Sequence, residues 1–142
     1  MAGGYKDLDV YVLAHALAVK VHHMTMTLPK FETYEEGSQI RRSAKSVSTN
    51  IVEGFALRKY KNEYLHYIQR AYGSSEESLE HLRILFETNS LTDKKLFDEL
   101  SAEYARLNAM HFNFLRAIEN SHEKPTYLRE PNEEYNTDPF ES

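Results

Sequence analysis

Four stretches of this chain place apolar residues every three or four positions, and none places them at every second position over a useful length. That period matches the turn of an α-helix and not the alternation of a strand. Each stretch lasts about 20–28 residues, or ~30–40 Å of helix. The first runs from about Asp7 to Thr27. Leu8, Val12, His15, Val19, His22 and Met26 form one row, and Val10, Leu13, Leu17, Met24 and Leu28 a second. Two adjoining rows predict a helix buried over a wide face, which Pro29 ends. The second runs from Tyr34 or Glu36 to about Phe55, with Ile40, Ala44, Val47 and Ile51 as its row and Gly54 at its exit.

The third stretch spans about Lys61 to Thr88, with Asn62 as its candidate cap. Leu65, Ile68, Tyr72, Ser75, Leu79, Leu82 and Phe86 keep heptad spacing. Gly73 interrupts it at a cost of about 1 kcal/mol relative to Ala, which predicts a close backbone approach to a neighbour. After Asn89-Ser90-Leu91, Thr92 is placed to cap a fourth helix reaching about Asn120, with Phe97, Leu100, Tyr104, Leu107, His111, Phe114 and Ile118 as its row. The pattern predicts an all-α, antiparallel, up-down-up-down four-helix bundle over residues 1–120. Residues 121–142 carry three prolines, many acids and no periodicity, and are expected to form a disordered acidic tail.

Composition narrows the chemistry. Zero cysteines remove disulfides, thiol catalysis and thiolate metal sites. No run approaches the ~20 apolar residues of a membrane span, and the first residues lack the basic-then-apolar order of a signal peptide. A cytoplasmic location and no membrane partner are the expectations. The formal charge of -5 is unevenly spread. Residues 39–62 hold six basic residues against one acid, Glu53, whereas residues 119–142 hold seven acids against two bases.

Within that basic segment Gln39, Arg42, Ser46, Asn50 and Glu53 fall at helical spacings beside the apolar row. Such side chains, in place of interchangeable Lys and Glu, predict assigned partners. An Arg42–Glu77 ion pair between the second and third helices is expected, with Ser46, Asn50 and Ser74 satisfying nearby donors. Arg41, Lys45, Arg58, Lys59 and Lys61 have few obvious partners within the chain. They are the candidate nucleic-acid contacts, with phosphate as the natural counter-charge and Tyr60, Tyr64 and Tyr67 as candidate stacking platforms for unpaired bases. The acidic tail is expected to compete for the same cations.

The motif Gln39-x-Arg41-Arg42-Ser43-x-x-Ser46-x-x-x-Asn50-Ile51-x-Glu53-Gly54 resembles the signature of the four-helix bundle proteins encoded in 23S rRNA intervening sequences. Ala71-x-Gly73-Ser74-x-x-Glu77 is similar to that family's second signature. The resemblance covers roughly residues 5–118, with Ser43 where the family usually has Ala. It implies an antiparallel bundle, assembly into rings of five, and a poorly defined biochemical role. A related branch, the accessory variability determinant of diversity-generating retroelements, binds nucleic acid and works with a reverse transcriptase. The resemblance therefore implies the chain itself, RNA or DNA, and a nucleic-acid-handling protein as partners.

Enzyme readings have less support. Arg106 and His111 form the Arg-x4-His of a HEPN-like ribonuclease, in which Arg holds phosphate and His moves a proton. Leu107 stands where those proteins usually have a polar residue, and His111 lies on the apolar row. Glu63–His66 and Glu119–His122 have the Glu-x-x-His spacing of di-metal bundles but sit near one end. His15, His22 and His23 lack the i, i+4 spacing of a metal pair and read as surface or packing residues. The expectation is a non-enzymatic scaffold or adaptor with no metal and no cofactor, and the HEPN-like nuclease is the alternative.

Overall fold

The computed structural model describes residues 3–121. A 3-10 turn, Tyr5–Asp7, leads into helix α1, Asp9–Thr25; a second 3-10 turn, Lys30–Tyr34, leads into α2, Glu36–Ala56; α3 is Lys61–Glu87 and α4 is Lys94–Ser121. The four helices pack in sequence order, α2 most extensively on α3, and α4 returns to α1 over a shorter seam. Every pairing is antiparallel. Ser43 meets Ser78 across α2–α3, Lys61 reaches the Glu119 carbonyl across α3–α4, and Lys20 pairs with Glu103 across α1–α4. The up-down-up-down bundle thus stands as the periodicity predicted. The expected tail from residue 122 onward lies outside the described residues.

The apolar rows of α2 and α4 point inward as expected: Ile40, Ala44, Val47 and Ile51 are buried, as are Leu100, Tyr104, Leu107, His111 and Ile118. Phe86 stacks on Phe97, and Tyr64 meets Phe114 edge-on, so aromatic pairs close α3–α4 at both ends. The first helix differs from the expectation. Its buried face is Val10, Ala14, Leu17, Ala18, Val21 and Met24, while Val12, Val19 and Met26 are 54, 45 and 71% exposed. Small Ala14 and Ala18 mark the side on which α1 approaches its neighbours. The larger branched residues of the first row stand outward.

Local signals shift by a residue or two. Asp93, not Thr92, caps α4, its carboxylate accepting the Leu96 N–H at 3.1 Å. Asn62 caps nothing, because α3 starts at Lys61 behind Tyr60. Asn89 takes positive φ, 68°, and turns the chain so that the Leu91 N–H reaches the Leu85 carbonyl. Gly54 lies inside α2, where an added Cβ would stand 3.1 Å from Tyr67 Cβ, whereas the same atom at Gly73 would meet nothing within 4 Å. The close approach expected of Gly73 therefore belongs to Gly54. Buried Glu32 joins the segment before α2 to the α3–α4 link by accepting from the Gly37 N–H at 3.1 Å and the Ser90 hydroxyl at 2.5 Å.

Candidate functional site

The α2–α3 seam is lined with small polar side chains because residues of that size let two helix backbones come together. Ser43 and Ser78 hydroxyls meet at 2.7 Å, Ser46 and Ser74 at 2.9 Å. Asn50 Nδ2 donates to the Ser46 carbonyl and hydroxyl at 2.8 and 2.9 Å, and Ser78 donates to the Ser74 carbonyl at 2.9 Å. Ser78 accepts from Ser43 while donating to Ser74, and Ser46 accepts from Asn50 while meeting Ser74, so the chain of bonds leaves little buried polarity unpaired. Ser46, Asn50 and Ser74 thus come together as expected.

Arg42 and Glu77 do not. Arg42 is exposed and forms no ion pair among the described residues, and Glu77 turns to His81 Nε2 at 3.3 Å. The seam carries hydroxyls one helical step inward of Arg42, and the guanidinium stays in water, where it keeps its hydration. Gln39 and Glu53 are likewise exposed, with no side-chain hydrogen bond among the described residues. The side-chain link across this seam is instead a hydrogen bond between His81 Nδ1 and Glu36 Oε1 at 2.6 Å. Glu77 and His81 stand at i, i+4, which was its sequence signal; the Glu36 partner had none.

The five candidate cations fall at two places. Arg41 and Lys45 lie on the flank of α2 that faces α1, where each borders a surface cleft. Arg58, Lys59 and Lys61 lie around the α2–α3 turn, about 25 Å along the helix from Arg41. Two of these three stabilise helix ends. Arg58 Nη1 donates to the Phe55 carbonyl at 2.9 Å while its guanidinium covers the Phe55 ring, and Lys61 Nζ donates to the Glu119 carbonyl at 3.2 Å. Cations at these positions meet orphan carbonyls and the negative end of the helix dipole. Lys45 has no ionic partner among the described residues. Arg41 spends one donor on the Thr33 carbonyl, 3.0 Å away.

Of the tyrosines, Tyr64 is buried, and desolvation pushes its phenol up to about 12 against the field of Arg58; it is a core residue and offers no ring to a base. Tyr60 and Tyr67 are half-buried. Arg106 and His111 do not converge. Arg106 is exposed, His111 is 0% exposed, and five residues turn a helix through ~140°. Neither His111 ring nitrogen is hydrogen-bonded. Of the two Glu-x-x-His sets, Glu63 and His66 are exposed and His122 lies outside the described residues.

An antiparallel four-helix bundle with a hydroxyl-laced seam between its second and third helices is the class these features define. The chain belongs to the 23S rRNA-intervening sequence protein family, whose family model matches residues 6–113. Among solved structures it is similar to a protein of unknown function from the S23 ribosomal protein family of Bacteroides thetaiotaomicron. That likeness has 18% identity and a TM-score of 0.69, over 75% of this chain and 95% of the other, and it extends to the fold. No curated protein sequence matches the chain. No helix among the described residues is long and apolar enough to cross a membrane.

Proposed function

We propose that this protein is a non-enzymatic cytoplasmic scaffold that assembles with copies of itself, as a ring of five, and holds RNA or DNA through basic residues on α2 and at the α2–α3 turn. The observation that carries the reading is the outward crest of α1, where Val12, Val19 and Met26 stand in one exposed line. An apolar line of that kind marks an interaction surface, and in a ring it seats head to tail on a different face of the next copy. Arg41 and Lys45, flanking the crest without a carboxylate partner among the described residues, supply the attraction for phosphate. A nucleic-acid-handling protein such as a reverse transcriptase is a further partner of such a scaffold.

Light scattering on the full chain tests the assembly. The expected mass is five times the 16.6 kDa of one chain, and Val12→Asp with Val19→Asp returns it to one chain with helical content unchanged. A wild-type monomer overturns the reading. Oligonucleotide binding that weakens with salt, without cleavage, supports the adaptor role. RNA cleavage by the wild type, lost in His111→Ala, assigns the HEPN-like nuclease instead.

A further inference from the structure

Helices α1 and α2 diverge enough to leave two surface clefts between them. His15, His22, His23 and Lys45 border one; His22, Lys30 and Arg41 border the other. His22 borders both, so the two lie end to end as a groove with that side chain between its halves. From His15 to Thr25 it follows α1 for about 15 Å, room for a few phosphates of one strand. No carboxylate of the described residues lines either cleft. Resting on the nucleic-acid reading above, we infer that this groove is the phosphate site and that single-stranded nucleic acid lies along it.

The charges around the histidines are of one sign on the groove side. Arg41 and Lys45 face them from α2, and Lys30 from the turn before it. On α1 itself the Tyr11 hydroxyl stands 3.4 Å from His15 Nδ1, and Lys20 points away, paired at 3.1 Å with Glu103 of α4. Phosphate is therefore the counter-charge the groove lacks. Val19 lines one cleft and Met26 the other, so a copy seated on the apolar crest forms the outer wall of the groove. Lys30, Arg41 and Lys45 supply the charge of the groove, and the histidines line it between them.

The test is fluorescence anisotropy of a labelled single-stranded oligonucleotide on the full chain, titrated against salt. Each phosphate contact contributes about -0.7 to the slope of log affinity against log salt. Lys30→Gln and Lys45→Gln are each expected to make that slope shallower by about 0.7, with the mass of the assembly unchanged. If both variants keep the wild-type slope, the groove is not the site, while the nucleic-acid reading stands. Absence of wild-type binding removes that reading and the groove together. Polyglutamate binding as tightly as the oligonucleotide overturns phosphate as the ligand.

Discussion

His111 shows how one buried side chain sets a measurable property of this bundle. It sits at the centre of α4 with both ring nitrogens unpaired. Desolvation lowers its pKa from 6.5 to about 4, with the Leu107 carbonyl pulling weakly the other way without a full hydrogen bond. Unfolding restores the ordinary basicity, so between about 4 and 6.5 the unfolded chain binds the extra proton. Stability from this residue is complete above that window, falls as pH drops through it and levels off below it. The span amounts to roughly 3 kcal/mol. His111→Leu is expected to flatten this part of the pH profile and to raise stability at neutral pH by about 1–3 kcal/mol, because two unpaired polar atoms leave the core. Urea unfolding of both proteins at a series of pH values checks it; an equal slope in the variant assigns the acid sensitivity to other groups. Tyr104 is a second buried polar group on the same helix, its phenol raised by desolvation. Ser78 biases that phenol from nearby, although the Ser78 hydroxyl is committed to Ser43 and Ser74.

At the scale of the helix, two glycines exchange the roles that spacing alone assigns them. Gly73 is exposed in mid-α3 with no neighbour near its missing Cβ, and Gly54 presses α2 against Tyr67 and Ile68. Gly73→Ala is therefore expected to stabilise by up to about 1 kcal/mol, and Gly54→Ala to destabilise by about 1–3 kcal/mol as α3 is pushed back. Thermal unfolding of the two variants separates them by sign, and shifts in the same direction refute the α2–α3 contact. The same pair shows what was legible in the sequence. Apolar period located all four helices, and it named the buried rows of α2 and α4 because each of those helices has a single apolar stripe. It failed on α1, where two stripes compete and Ala14 and Ala18, small and weakly hydrophobic, mark the packed face. It failed again for Arg42, since a row of polar residues tells that a seam is near but not which step of the row enters it. Ser46, Asn50 and Ser74 were legible as a network; the Ser43–Ser78 bond and the Glu36–His81 link depend on a register that the length of the α2–α3 turn sets.

Across the whole molecule, charge is sorted by position more than the net value of -5 suggests. The α1–α2 groove carries unopposed cations, the α2–α3 turn uses Arg58 and Lys61 to cap helix ends, and six acids against two bases follow Asn120 in sequence. Helix α4 ends beside the start of α3. The ~20 residues beyond it have a contour of roughly 70 Å, greater than the length of the bundle. A segment of that charge held on the same chain acts as a local competitor for any phosphate site within its reach, through its effective concentration. Removal of everything after Asn120 is accordingly expected to tighten oligonucleotide binding severalfold at low salt. The difference should shrink as the Debye length falls to about 8 Å near physiological ionic strength and to about 3 Å at 1 M. Fluorescence anisotropy of full-length and truncated chains across a salt series measures this. Equal affinities at low salt would leave the acidic segment without a part in binding, and a truncated chain that binds more weakly would mean that the segment contributes contacts of its own.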